Sequence, residues 1–456
     1  MASTSAPELS FIPSQPARVP DWLPGWRGMF GERLRSAVHG IAEPAFDVWH
    51  KQRRFLNLQI HIVNNPDMIG HVLLNNHTNY IRPRLTRKIL KPIIGNGLLS
   101  AEGEDWRKQR KIVAPTFAPA AVARMARLMA EAAQRQMTEW PEQRAKIDMA
   151  RFATETTMAI ISGALFSGDA RLTSREAGMH IGRVIAAVGQ PRLLNMLGLQ
   201  DFDLSPSMLR MRDSQRWLRA NLRALVRERG AGGGGDDFFG DLMRALYADM
   251  PLEEAEILAV DNAITFYAAG HETTATTLSW AIYLLAAQPE LQEEARAEAI
   301  AALSQNDIAT LSGRLPILRQ ILDETMRLYP SVVQIIREAV ADDDIGDVRI
   351  RKGELVLIYP WLVHRHRQLW GSPDQFDHMR FTPINEAKLH RFQYIPFGIG
   401  PRVCIGARFA VTEALVILAH WLAARRFVLP DGLKPMPTGN VTLRPKNGLP
   451  LFVEPL

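Results

Sequence analysis

Cys404 is the single cysteine in the chain, and it lies in the segment Phe397-Gly398-Ile399-Gly400-Pro401-Arg402-Val403-Cys404-Ile405-Gly406. A lone cysteine makes neither an internal disulfide nor a four-cysteine metal site. That leaves three roles: buried bystander, nucleophile or single metal ligand. Glycines at 398, 400 and 406 let the backbone turn tightly and approach a flat object closely. Arg402, two residues earlier, can neutralise an anion beside the sulfur. The segment Ala407 to Ala424 is apolar and helical in pattern, which places Cys404 near a helix N-terminus. There the helix dipole and free N–H groups favour a thiolate.

A second constellation is Ala269-Gly270-His271-Glu272-Thr273-Thr274, inside a helical pattern running from Pro251 to Gln288. Glycine and clustered threonines are poor choices for a helix interior, and Gly270 costs about 1 kcal/mol relative to alanine. A threonine hydroxyl bonded to a carbonyl of the preceding turn loosens the backbone ladder. The result is a groove beside a small residue, with an acid and an alcohol next to it. Glu324 and Arg327 place opposite charges three residues apart on one helix face. Trp106 and Arg110 place an indole and a guanidinium four apart, two donor groups suited to carboxylates. His271 and the run His364-Arg365-His366-Arg367 lack a second ligand at metal spacing. The expectation for His271 is packing on the helix flank, and for the histidine–arginine run a solvated loop.

The pattern Phe-x-x-Gly-x-Arg-x-Cys-x-Gly resembles the haem-binding loop of cytochromes P450 and matches it at every fixed position. The resemblance implies that Cys404 is the axial thiolate on haem iron, with Phe397, Arg402 and Gly406 also shaping the cofactor site. It makes Glu272 and Thr273 the acid–alcohol pair that supplies protons for dioxygen activation. Glu324 and Arg327 match the Glu-x-x-Arg motif of that family. The third partner comes from Asp377-His378-Met379-Arg380-Phe381, in which the arginine and phenylalanine match and the usual proline and glutamate do not. Arg380 should still complete a buried structural network. Trp106, Arg110 and Arg337 stand, with Arg402, where the family holds the haem propionates. By family position the substrate pocket takes Ile264, Tyr267 and Ala268 from the long helix, and Val332, Val333 and Ile335 after the Glu-x-x-Arg helix. Residues from about Tyr80 to Leu99 form a roof, and the chain near Val441 returns toward the pocket. Arg82, Arg84, Arg87 and Lys88 in the roof are expected on a solvated surface.

Those groups need a scaffold. Residues 1–30 hold Pro7, Pro13, Pro16, Pro20 and Pro24 and read as an extended N-terminal arm. Gly31 to Val48 is helical in pattern, Phe55 to Val63 alternates as a strand, and Pro66 to Leu74 looks like a short helix. Most of Asp105 to Leu328 has helical period, interrupted by a glycine-rich surface loop at Arg229 to Gly235. The Pro251–Gln288 helix would span roughly 55 Å. Val332 to Val340 and Glu354 to Ile358 read as strands. The fold class is mainly α with small β regions, and the resemblance implies one cytochrome P450 domain over 31–456. Its β-rich parts fall within about 31–80 and 332–380.

Apolar residues at 47% and charged residues at 22% fit a soluble globular chain with a sizeable core. A net charge of +6 suits an acidic protein partner, and no aromatic-interleaved basic stripe supports nucleic-acid binding. Met1 to Pro20 lacks the apolar stretch of a signal peptide, and the central helix lacks the ~20 apolar residues of a membrane span. Near-absence of cysteine fits a reducing compartment. These features point to a cytoplasmic, bacterial-type monomer without a transmembrane anchor.

Together the motifs imply a haem-thiolate monooxygenase carrying haem b. It would insert one atom of O2 into a small apolar substrate, using NAD(P)H-derived electrons. Too little chain follows Cys404 for a fused flavin or iron–sulfur domain, so electrons are expected from a separate ferredoxin or flavodoxin with its reductase. A peroxygenase or a haem-thiolate isomerase is the first alternative; the intact Glu272–Thr273 pair argues against both. A non-catalytic haem ligand-binding protein is the second, and it would form no product when given electrons and dioxygen.

Overall fold

The computed structural model describes residues 11–22, 31, 36–55, 58–188, 203–230, 232, 234–439 and 441–456. One helix, Leu252–Ala286, runs through its centre. It starts after Pro251 and stops before Pro289, as proline at either boundary favours. From Ala255 to Ala286 it is buried on nearly all sides, which is why its sequence is apolar all round rather than striped. Against it pack Met149–Phe166, Phe238–Asp249, Pro316–Leu328 and Ala407–Ala424. At Gly270 the packing is close: an added Cβ would lie 2.9 Å from Ile161 side-chain atoms. The glycine that weakens the helix therefore admits its neighbour.

A five-stranded sheet flanks the helical core. Its strands are β1 (His50–Phe55), β2 (Leu58–Val63), β3 (Tyr80–Ile81), β4 (Ile335–Ala339) and β5 (Leu355–Ile358), in the order β1-β2-β5-β4-β3. The β2–β5 pairing is parallel, with Ile60 opposite Leu355, and β4 runs antiparallel to β5 with Arg337 opposite Val356. Val63, Val356 and Ile358 form a small core of their own beneath it. The sheet matters for function because β4 aims Ile335 and Arg337 at the cavity described below.

Several sequence expectations change in detail. The strand expected over Phe55 to Val63 is present as β2, and a further strand, β1, precedes it and pairs with it antiparallel. The helix expected over Gly31 to Val48 is absent among its described residues, which form turns and one 3-10 turn at Glu43–Phe46. Gly40 and Pro44 interrupt the pattern, and burial of Ala45 and Phe46 is met by turns instead. The Pro66 helix ends at Gly70 and continues as a π turn, His71–Asn75. The arm is extended over its described residues and lies against the core, where the Tyr329 hydroxyl donates to Ser14 O at 2.7 Å.

His364 to Arg367 is a correction of kind. His364, Arg365 and His366 are buried. The Ile395 N–H donates to His364 Nε2 at 2.9 Å, and Arg365 stacks 3.6 Å over the Trp361 ring. Burial and the neighbouring Arg327 and Arg365 push the His364 pKa down to about 3. A polar run is usually solvated; here the partners come from elements distant in sequence. Ala407–Ala424 is, among the described residues, the one helix long and apolar enough to cross a membrane. Two-thirds of it is buried, as befits a core helix.

Candidate active site

A cavity of about 660 Å³ lies between the long helix, the roof segment, β4 and the cysteine loop. Cys404 opens into it. The loop is built by its glycines: Gly398 and Gly400 hold φ of +69° and +73°, values that disfavour any side chain. At Gly400 a Cβ would also fall 2.0 Å from Leu73 O. The Cys404 N–H donates to Phe397 O at 2.9 Å, closing the loop, and Ala407–Ala424 begins just past Gly406. Burial pushes the thiol pKa up, while the Gly406 N–H and the Arg110 guanidinium favour the thiolate. The sulfur thus faces the cavity but sits deep within the protein.

At one end four guanidiniums converge: Arg82, Arg110, Arg337 and Arg402 all border the cavity. Only Glu102 balances them; it accepts from Arg402 Nη2 at 2.5 Å. Arg402 also donates to Ala101 O at 2.9 Å and lies 4.1 Å over the Trp106 ring. Burial, then the neighbouring arginines, lowers Arg402 to about 9, and burial with Arg82 lowers Arg337 to about 10. Arg82 Nη1 is buried without a hydrogen-bond partner among the described residues. The cluster has the form of a site for two carboxylates. Arg82 was expected on a solvated surface and instead turns inward, whereas Arg84 is 75% exposed beside Glu338.

On the long helix the hydroxyls return to the preceding turn, Thr273 Oγ1 to Ala269 O at 2.9 Å and Thr274 Oγ1 to Gly270 O at 3.3 Å. Thr273, Thr274, Ala269 and Gly270 border the cavity; Glu272 stands behind them and accepts from Thr442 Oγ1 at 2.6 Å. His271 is buried on the flank, its Nδ1 3.0 Å from Tyr267 O. The expected pocket residues separate. Val332 and Ile335 line the cavity, as do Leu98, Leu99 and Val441. Ile264, Tyr267, Ala268 and Val333 do not; the Tyr267 hydroxyl donates to Leu172 O at 2.8 Å, away from the site. Phe266 and Ala269 take the cavity face instead. An α-helix turns 100° per residue, so an offset of one position moves a side chain off the face.

Beneath the loop, Glu324 and Arg327 are fully buried and bidentate, at 2.6 and 2.7 Å. Arg327 also donates to the carbonyls of His364, Pro373 and Gln375, and Arg380 Nε lies 3.6 Å from Glu324. The three residues named from sequence do meet.

Sequence reasoning missed three polar groups. Asp261 accepts from Asn96 N at 2.7 Å and Asn262 from Leu98 N at 2.9 Å, fastening the roof to the long helix. Polar residues more than two turns inside an apolar helix were the available signal. Glu413, on Ala407–Ala424, is buried with no hydrogen-bond partner for either oxygen among the described residues. Burial raises its pKa to about 8, opposed by the Thr274 hydroxyl.

Comparison with known proteins agrees with this arrangement. The family model for Cytochrome P450 matches residues 37–452. Cytochrome P450 4F12 of Homo sapiens is 31% identical, covering 98% of this chain and 90% of its own length. Leukotriene-B4 omega-hydroxylase 3 of Mus musculus is 28% identical over 98% and 90% of the two chains. A solved cytochrome P450DA heme domain has the same fold, with a TM-score of 0.80 at 24% identity over 97% of each chain. With the match spanning most of its length, the chain belongs to the cytochrome P450 family, the haem-thiolate monooxygenases.

Proposed function

We propose that this monooxygenase hydroxylates an apolar, mid-sized to long substrate, and that its cavity would hold haem b with the Cys404 sulfur on the iron. The observation that carries the reading is one cavity with the sulfur in its wall, four arginines at one end and apolar side chains over the rest. Arg82 Nη1, without a hydrogen-bond partner among the described residues, and the excess of guanidiniums over Glu102 suit two propionates. Trp106, Arg110, Arg337 and Arg402 would hold them, joined by Arg82. Phe397 and Gly406 border the sulfur and would pack on the ring. When bound, the haem supplies oxygen activation and C–H cleavage.

The chain's own residues do the rest. Cys404 supplies an anionic sulfur, with Arg110 and the Gly406 N–H favouring its charge. Thr273 presents a hydroxyl at the cavity wall, and the Glu272 carboxylate behind it would relay protons to that hydroxyl. General acid help of this kind is typically worth about 10²–10⁴-fold. Phe266, Leu98, Val332 and Ile335 exclude water and bury substrate at about 25 cal/mol per Å². The hydroxyl at the wall favours the dioxygen route over a peroxygenase or isomerase. The excess positive charge supports an acidic partner such as a ferredoxin or flavodoxin with its reductase, serving a cytoplasmic monomer. The name of the mouse relative, an omega-hydroxylase, supports attack near a chain end.

Titration of the ferric protein with hydrocarbons, alcohols and acids of matched size, followed by the high-spin Soret shift, tests the substrate class. Tightest binding by apolar members is expected. Preference for a small, highly charged compound would overturn it.

A further inference from the structure

We infer that Thr442 is a positioning residue that holds Glu272 in place for proton supply. The inference rests on the reading of Glu272 and Thr273 as the acid–alcohol pair. Its first observation is the 2.6 Å bond from Thr442 Oγ1 to Glu272 Oε1. A hydroxyl fixes a carboxylate only if its own backbone is fixed, and here it is. Thr442 forms an antiparallel bridge with Val332, and the next residue is gripped on both sides. Leu443 N donates to Ser331 O at 3.0 Å, and Trp280 Nε1 donates to Leu443 O at 2.8 Å. Trp280 and Leu443 are both fully buried, so these bonds have no competition from water. Gly439 tightens the turn from the other end. Its φ is +147°, and a Cβ there would fall 1.8 Å from Thr442 O.

The same segment reaches the alcohol of the pair. Ser331 Oγ donates to Thr273 O at 2.9 Å and bonds Thr277 Oγ1 at 2.7 Å. Ser331 and Thr442 therefore hold both members of the pair from one side, Thr273 by its backbone and Glu272 by its side chain. Val441, beside Thr442, borders the cavity and is 44% exposed. A substrate lying on Val441 presses on the residue that fixes the carboxylate, which ties substrate fit to proton supply without Thr442 touching the reacting atoms.

Thr442→Val removes the hydroxyl and keeps the shape. The expected result is a several-fold to about tenfold loss of product formed per NAD(P)H consumed, part of what general acid help supplies. Thr442→Ser should restore the ratio to within about twofold, because it returns the donor. Adding Thr442→Val to Glu272→Gln should cost no more than Glu272→Gln alone, since one interaction is lost once. A second readout needs no turnover. The carboxylate infrared band of the ferric protein that disappears in Glu272→Gln should shift in Thr442→Val and return in Thr442→Ser. If Thr442→Val does not load haem, Thr442→Ala carries the same comparison. Wild-type coupling and an unmoved band in Thr442→Val, with Glu272→Gln uncoupled, would overturn the positioning role alone. Wild-type coupling in Glu272→Gln would overturn the proton-supply reading and this inference with it.

Discussion

Beneath the Cys404 loop, the central charges are matched: the Glu324 carboxylate and the Arg327 guanidinium bind each other through two hydrogen bonds. Glu324 and Arg327 are fully buried, and Arg327 spends its remaining N–H groups on the carbonyls of His364, Pro373 and Gln375. On the cavity side the reverse holds. Four arginines face one glutamate, Arg82 Nη1 has no partner among the described residues, and the remaining walls are mostly apolar, with hydroxyls such as that of Thr273 among them. Buried charge survives only when paired, or when a ligand will pair it. The matched region is therefore scaffold, and the mismatched one is a binding site. Sequence motifs mark both in the same alphabet of arginine and glutamate, and only the pairing tells them apart.

The comparison breaks first at the sulfur between the two regions. Cys404→Ser should abolish the thiolate-type ferrous-CO spectrum and turnover, because an alcohol is a far weaker donor to iron. Folding should survive, since the side chain opens into the cavity. A retained thiolate-type spectrum would remove Cys404 as ligand.

Arg327→Ala strikes the matched side. It strands the Glu324 carboxylate and three backbone carbonyls, and should cost about 3–5 kcal/mol of stability. The soluble yield and thermal midpoint should both fall sharply, with or without haem. A variant that melts like the wild type would deny that this network is structural.

Glu413 sharpens the contrast, as a buried acid on the core helix with no charged partner among the described residues and only the Thr274 hydroxyl acting on it. Its pKa is raised from 4.5 to about 8, so the folded state holds the proton more tightly than the unfolded one. Its stabilising contribution is full below pH 4.5, falls as pH rises, and is gone above about 8. Glu413→Gln should therefore gain thermal stability relative to wild type as pH rises through that window. The total swing is on the order of 4 kcal/mol. A pH-independent difference in midpoint would show that Glu413 titrates normally.

Arg82→Ala and Arg402→Ala act on the mismatched side and should cost about 1–3 kcal/mol of haem affinity each. Lys108→Ala is the control, since Lys108 is half exposed beside Asp249 and does not border the cavity. Equal haem occupancy in all three purified variants would contradict a propionate site among the arginines.

The ligand loop, the long helix and the Glu-x-x-Arg pair were legible from sequence because each is local. Glycine at a positive-φ turn, proline at a helix boundary and charges three residues apart leave their marks within a few positions. What had to be read across the chain was less secure. The pocket face of the long helix came out wrong at Ile264, Tyr267 and Ala268, because an offset of one residue turns the face by 100°. Val333 points into the core although its neighbours Val332 and Ile335 reach the cavity. His364 and His366 looked solvated because their partners, Ile395 and Val48, lie 31 and 318 residues away in the chain.

By itself, then, the amino-acid sequence determined the cysteine loop, the family and the central helix, since backbone constraint and motif spacing are properties of short segments. Tertiary structure alone decided that Arg82 turns inward, that Glu413 stays without a charged partner among the described residues and that Thr442 grips Glu272. Those are outcomes of which buried donors find acceptors when distant segments pack, and a donor's partner is not written beside it in the chain.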